Sequence, residues 1–417
     1  MRRSVYFLLS VVVCLGLGCT GDGSIIDAPG SGGTVSPVHL SKAAKQVVAS
    51  GNQFSFTLLQ ETVKQNPGET VFLSPLSASM ALAMACNGAR TATEEEIRTM
   101  LGYGGLTQAD LNESCKALYD VLTTLDPKVT LKIANAIWND YTLAVLPSFI
   151  QVNQRYFNAE VDALNFKDPS ALEVINSWCD LHTNGRIPKI LDRLDPATVL
   201  AILNALYFKG TWTIEFDKTN TRDDVFNLAG GGAMGCKMMR VTEKFSYLQT
   251  DELAAVDLPY GDGHFSMTLM LPKQGMAIDE FVQRCTAAQW AIWKEQFTPR
   301  EGTVEMPKLK VEYDVTLNDI LKALGMPSAF DPGRADFSGI SATDRLFISL
   351  VKQKTFLQID EEGTEAAAVT AILFERTSTG AGSDRFYLRL DRPYVLMIRD
   401  HATDSILFIG KIMEPKN

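Results

Sequence analysis

The sequence is poor in the parts from which metal sites, disulfide frameworks and nucleic-acid surfaces are built. Of its seven cysteines, Cys14 and Cys19 fall near the N-terminus, which leaves Cys86, Cys115, Cys179, Cys236 and Cys285. These are odd in number, far apart and without C-x-x-C spacing, so they support neither a disulfide framework nor a zinc site and read as buried free thiols. The histidines His39, His182, His264 and His401 are scattered, with no H-E-x-x-H arrangement. No metal and no cofactor is therefore expected. There is no G-x-S-x-G element, which removes the usual signature of an α/β-hydrolase. Positive charge is also short: 39 Lys and Arg against 49 Asp and Glu give a formal net charge of −10. With no basic cluster interleaved with aromatics, nucleic acid is not an expected partner. Apolar material is ample at 46%, enough for a large core, yet no stretch beyond the N-terminus is long and apolar enough to span a bilayer.

Residues 1–19 read as a targeting segment. Arg2 and Arg3 precede a nearly unbroken apolar run from Val5 to Leu17, and a small-residue site follows. Gly18–Cys19 resembles a bacterial lipobox, although Gly16 stands where an aliphatic residue is usual. The reading is an exported bacterial lipoprotein carrying its lipid on Cys19, in the cell envelope at the outer membrane or cell surface, or else extracellular. An ordinary secretory signal and a retained signal anchor are the alternatives. Residues 20–37 (TGDGSIIDAPGSGGTVSP) are rich in Gly, Ser, Pro and Asp and form a flexible tether, with a root-mean-square span of about 23 Å. From residue 38 to 417 no second linker, repeat or low-complexity tract interrupts the chain, which predicts one large domain.

The first third of that domain has helical character. Leu40 to Gln65 carries Val47, Val48, Phe54, Phe56 and Leu59 at helical spacing. Leu76 to Asn87 suits a buried helix closed by Gly88, and Thr91 to Leu101 places a capping residue before a run of acids. Strand signals dominate later, at Val129–Trp138, Ala254–Leu258, Phe265–Leu271 and Gly302–Tyr313. Tyr394–Ile398 and Ile406–Ile409 flank the polar stretch Arg399–Ser405, which suits a hairpin. Helices first and strands later predict an α+β domain with large mixed sheets.

Glu361 to Ser383 (EEGTEAAAVTAILFERTSTGAGS) resists a single assignment, because helix, strand and loop preferences succeed one another along it. A surface loop beside a short helix or strand is the plain reading. Parity offers a sharper one. In an extended strand Thr364, Ala366, Ala368, Thr370, Ile372 and Phe374 share one face, while Glu365 and Glu375 both fall on the other. The first face can then be buried without desolvating a charge.

These residues resemble a known family. Glu361, Glu362, Gly363, Thr364, Glu365, Ala366, Ala367 and Ala368 (EEGTEAAA) closely resemble the hinge of inhibitory serpins. Phe72–Ser77 (FLSPLS) is similar to the F-x-S-P-x-S entry to the family's central helix. Asn176 stands in INSWCDLHTNGRI as in the N-x-W/Y-x-x-x-x-T-x-G-x-I element. Asn204–Trp212 (NALYFKGTW), Met306–Tyr313, Leu321–Ile340 and Leu390–Met397 complete an ordered series covering about residues 50–415. Tyr394 replaces the usual phenylalanine, and Gln353 stands where many serpins carry a histidine.

The resemblance implies a serpin fold: a large mixed central sheet, two further sheets, eight or nine helices and an exposed reactive centre loop. It implies no catalytic residues but an inhibitor of serine, and by extension cysteine, endopeptidases. A target protease would acylate on the loop, and the cut loop would then insert as a new strand and trap it. By resemblance Ser74, Ser77, Asn176 and Gln353 belong to the "shutter" where strands part, and Trp212 to the "breach" where insertion begins. The family's spacing places the reactive bond at Thr377–Ser378, whereas side-chain chemistry favours Arg376–Thr377. Trypsin-like or Arg-specific proteases would use Arg376, and elastase-like or subtilisin-like ones Thr377. The inhibitor is expected to be a monomer that meets the membrane only through its lipid anchor. A non-inhibitory carrier and a surface-binding lipoprotein remain alternatives.

Overall fold

The computed structural model describes residues 38–195, 197–365 and 385–416. The targeting segment, the tether and the stretch 366–384 lie outside them. Among the described residues there are nine α-helices and fifteen strands. The helical first third begins with α1 (Lys42–Gln65), β1 (Val71–Leu73), α2 (Pro75–Cys86), α3 (Thr91–Met100) and α4 (Gln108–Leu122). Then come β2 (Val129–Asp140), α5 (Pro147–Phe157), β3 (Glu160–Leu164), α6 (Pro169–His182) and β4 (Leu200–Thr211). Strands follow as β5 (Arg222–Asn227), β6 (Ala233–Gln249), β7 (Leu253–Tyr260) and β8 (Phe265–Pro272). The short helices α7 (Ile278–Arg284) and α8 (Ala287–Lys294) precede β9 (Thr298–Pro307), β10 (Leu309–Thr316) and α9 (Asn318–Ala323). The chain closes with β11 (Lys352–Ile359), β12 (Gly363–Thr364), β13 (Phe386–Arg389), β14 (Tyr394–Asp400) and β15 (Ile406–Ile412).

Local chemistry explains several boundaries. Ser41 accepts the Ala44 N–H and starts α1, while Thr107 and Asp110 form a reciprocal capping box on α4. Ser74 caps α2 with Pro75 in its first turn, and all but one of that helix's twelve residues are buried. The expected cap at Thr91 is not made: Arg90 occupies the cap position without a side-chain capping bond, its guanidinium donating instead to Asn87 O and Ala89 O, and the Thr91 hydroxyl donates to Asp336. The C-terminal hairpin is present, its turn held by Asp400, which accepts from the Thr403 and Ser405 amides.

Among the described residues the hydrogen-bonded strands join into two sheets, where a central sheet and two further ones were expected. One has six strands in the order β10-β11-β12-β4-β2-β3. The other has nine, running β1-β15-β14-β8-β7-β6-β9-β13 with β5 added to β6. The merger has a simple cause: β6 is 17 residues long, pairing with β5 through its first part and with β7 through its last. Gly302–Tyr313, expected as one strand, is split at Lys308, with β9 in the nine-stranded sheet and β10 in the six-stranded one.

The six-stranded sheet separates two apolar layers. Leu131, Ile133, Ile137, Leu206, Phe208 and Leu357 face the main core together with α2. Ala136, Trp138 and Ala205 face the opposite way and pack under Ile175, Trp178 and Cys179 of α6. The five cysteines of the described region are buried and unpaired.

Candidate functional site

The notable feature of the six-stranded sheet is its middle. Among the described residues, strands β4 and β11 are joined only through β12, two residues long: Ile359 pairs with Thr364, and Gly363 and Thr364 pair with Thr211 and Gly210. Both pairings are antiparallel, so β4 and β11 run in the same direction. Their outer flanks are fully laddered, β4 on β2 and β11 on β10. Below β12, among the described residues, no strand lies between the edges they turn toward each other. Unpaired ladder groups inside a sheet are costly, and they favour any extended chain that can fill the gap.

At the mouth of this gap the chain is fastened residue by residue. The Asp360 N–H donates to Gly363 O at 3.0 Å, closing a tight turn. Gly363 has φ +150°, and a Cβ there would lie 2.1 Å from Gly210 O, so only glycine fits so close to β4. The Trp212 indole N–H donates to Asp360 O at 3.0 Å and its amide to Glu362 O at 2.9 Å. The Trp212 ring stacks on Tyr260 at 4.4 Å between centroids, and the Tyr260 hydroxyl lies 2.6 Å from that of Thr364. The carboxylate of Glu361 takes the Thr221 hydroxyl and Lys308, each at 2.7 Å. Burial raises the Glu361 carboxyl, but those two partners outweigh it and hold it below the usual range. Lys218 pairs with Glu362. Burial pushes the Asp360 carboxyl up despite amide bonds from Glu362 and Gly363.

The strand parity read from the sequence reaches only Thr364, because Glu365 leaves the strand at φ +54°. Thr364 points inward to Tyr260, and Glu365 points outward. Glu365 is not solvated, however. Its carboxylate is only 4% exposed and meets Arg186 Nε at 3.3 Å. Burial raises its proton affinity, against the opposing effects of Tyr207 and Arg186.

Further down, the inner face holds a polar cluster. Gln353 of β11 accepts the Ser74 N–H through Oε1 at 3.0 Å and donates to Ser74 O through Nε2 at 2.8 Å. The amide thus does both jobs from the position where a histidine was the family's usual choice. The Ser74 hydroxyl donates to Leu407 O and accepts the Ser77 N–H, and the Ser77 hydroxyl reaches Asn204 O at 3.4 Å. Asn204 Nδ2 donates to Asn135 Oδ1 at 2.6 Å, while Asn204 Oδ1 is buried and, among the described residues, accepts no hydrogen bond. Asn176 is not in this cluster. It sits on α6, across the sheet from Ser74 and Ser77, where it accepts the Ile190 and Leu191 amides and donates to Leu191 O. Its grouping with Ser74 and Ser77 is therefore corrected: one residue from buried Ile175, it pins the segment after α6.

Arg376, Thr377 and Ser378, the hinge alanines Ala366, Ala367 and Ala368, and Cys19 all lie outside the described residues. The far end of the loop is anchored at β13, which pairs in parallel with β9, and Arg385 meets Glu301 at 2.7 Å. Tyr260, Arg186, Asn135 and Lys308 are the parts of the site that sequence reasoning missed.

Residues 49–415 match the family model described as serpin (serine protease inhibitor). An uncharacterized serpin-like protein of Thermococcus kodakarensis is 32% identical, with the whole of both chains aligned. Leukocyte elastase inhibitor A of the mouse is 30% identical, over 89% of this chain and 100% of its own. Among solved structures, the thermophilic serpin tengpin in its native state has a TM-score of 0.81 at 30% identity, covering 92% of this chain and 97% of its own. Thyroxine-binding globulin in complex with thyroxine has a TM-score of 0.80 at 26% identity, with 89% and 99% covered.

Proposed function

This chain belongs to the serpin family, and from that premise we propose that it inhibits serine-type endopeptidases as a single-use trap. A protease attacks the segment after Glu365 and forms an acyl-enzyme with it. The cut chain then enters the gap between β4 and β11 before the acyl bond is hydrolysed. The observation that carries this reading is the two-residue β12, a strand already begun between two edges with the right polarity to continue it.

Continuing that register gives each residue a neighbour. Ala366, Ala368 and Thr370 fall beside Leu357, Thr355 and Gln353 of β11 and beside Phe208, Leu206 and Asn204 of β4. Small side chains thus meet the crowded upper part, and a hydroxyl reaches the level of the Asn204 oxygen that lacks a donor. Ile372 and Phe374 fall beside Ile202 and Leu200. Burying those two adds about 3–6 kcal/mol, and each new ladder bond adds roughly 1 kcal/mol.

Mixing residues 38–417 with trypsin or elastase and running a denaturing gel tests the proposal. An adduct that survives heat and detergent is the expected result; clean cleavage without an adduct would make the chain a substrate or a carrier. Sequencing the released peptide distinguishes Arg376–Thr377, which trypsin-like enzymes would cut, from Thr377–Ser378, which elastase-like enzymes would cut. We further propose that Cys19 carries a lipid in the cell envelope, which mass spectrometry of the N-terminal peptide from a membrane fraction checks.

A further inference from the structure

Strand β13 ends the nine-stranded sheet, yet residues of β6, β7 and β8 turn back to face it across a cavity of about 470 Å³. That volume falls in the range of small-molecule sites. Ala254, Leu271 and the stacked rings of Tyr247 and Phe386, 4.0 Å apart between centroids, supply apolar wall. The guanidinium groups of Arg300, Arg385, Arg389 and Arg392 line the same space. Among the described lining residues Asp391 is the one carboxylate, so the wall is positive in a chain whose net charge is −10.

Those arginines differ in how firmly carboxylates already hold them. Arg389 is met by Asp224 at 2.7 Å and by Glu305 at 2.8 Å, and Arg385 by Glu301 at 2.7 Å. Arg392 reaches its nearest described carboxylate, Asp391, at 3.4 Å, and its other terminal nitrogen donates to Pro272 O at 2.9 Å. Arg300 lies over the Tyr247 ring, 5.4 Å from its centre. Asp224, Glu301 and Glu305 stand outside the cavity wall, so positive charge is concentrated within it rather than drawn out along the surface. We propose that this cavity binds a compact organic acid carrying two or more carboxylates on an apolar body. The apolar body covers Ala254 and Leu271. The carboxylates take donors from Arg392 and the guanidinium groups beside it, whose forked geometry suits them. An extended polyanion finds no continuous basic track here. Residues of β13 and the turn after it supply much of the wall, so the ligand also ties β13 to β7 and β8.

The experiment titrates the intact protein with benzene-1,3,5-tricarboxylate by calorimetry and repeats the titration with benzoate. The tricarboxylate should bind at one saturable site and raise the melting temperature by mass action, and benzoate should bind at least about ten-fold more weakly. R392Q should weaken tricarboxylate binding about ten-fold or more, by removing a charge-assisted pair. A254F fills the cavity while leaving all four arginines in place, and should abolish binding. R284Q removes an arginine of α7 that pairs with Glu252 and Glu280 and has no place in the wall, and should bind as the unmodified chain does. Melting curves of each variant establish that it is folded, and A254F carries the test if R392Q is not. The proposal is overturned by an absence of saturable binding at about 10 mM tricarboxylate. Binding that survives A254F, or that R284Q weakens as much as R392Q does, overturns it as well, since the acid would then be held by surface charge alone.

Discussion

The two sheets of this molecule are opposites in one respect. In the nine-stranded sheet β14 is paired on both sides over most of its length, to β8 and β15, and every residue of β14 and β15 is buried. In the six-stranded sheet the two longest interfaces flank a seam that, among the described residues, only Gly363 and Thr364 bridge. The first sheet has nothing left to gain by rearranging. The second keeps two parallel edges and a row of small or apolar inner positions in reserve. A fold that stored its capacity for change evenly would deform everywhere; here it is confined to one seam, with the polar cluster of Ser74, Ser77, Gln353 and Asn204 beneath it.

The sharpest way to break this contrast is to make the seam unfillable. Thr364→Arg puts a charge at a position that is 2% exposed and faces Tyr260. The expected outcome is a hinge that cannot enter and a protein that proteases cut without forming an adduct, read on the denaturing gel. Next in size, nicking between 374 and 379 should raise the melting temperature by roughly 15 °C, from new ladder bonds plus burial of Ile372 and Phe374. Nicking the turn at Gly230–Gly232, between β5 and β6, should leave it level or lower, and calorimetry of both nicked forms compares the sheets directly.

Asp257 tests the closed sheet. It is buried and binds Arg399 at 3.1 Å, His401 at 3.3 Å and the hydroxyls of Ser266 and Thr268. Burial alone would raise its carboxyl, but Arg399 and His401 hold it far below the usual range. Asp257→Asn should cost about 3–5 kcal/mol in denaturant unfolding, by leaving buried Arg399 with only the more distant Asp404 as counter-charge. Gln353→Leu, in the open sheet, should cost about 1–3 kcal/mol by leaving the Ser74 amide unpaired, the carbonyl keeping the Ala78 N–H.

The smallest effect is a pH term. Glu365 binds its proton more tightly folded than unfolded, so ionising it costs stability. Stability should therefore rise as pH falls through its raised folded value, reaching its full extent below the unfolded value. Glu365→Gln should lack that rise in melting curves taken between pH 7 and pH 4. An identical slope in both proteins would remove Glu365 from the account.

Much of the seam was legible in advance because it is written locally. The run of small residues after Gly363 shows itself without long-range information, and Ser74-Pro75 announces a capped helix. The partners were not legible. Tyr260 lies 104 residues from Thr364, and Arg186 is separated from Glu365 by nine strands of intervening chain. Nothing in the local pattern says which phenol or guanidinium a fold will bring to a hinge. Gly302–Tyr313 misled for the opposite reason, since its strand character is continuous although the chain changes sheet at Lys308. Pro307, at the last position of β9, was the available signal. Asn176 looked like its companions by motif, yet only tertiary packing decides that α6 covers the other face.

If a protease cuts the chain as proposed, the far anchor at β13 decides what is left behind. A cut near residue 377 divides the polypeptide, but β13, β14 and β15 stay embedded among β9, β8 and β1. The spent molecule is therefore a heterodimer of its own two fragments. The smaller is a peptide of some forty residues that no dilution will release, and only unfolding will separate it from the larger.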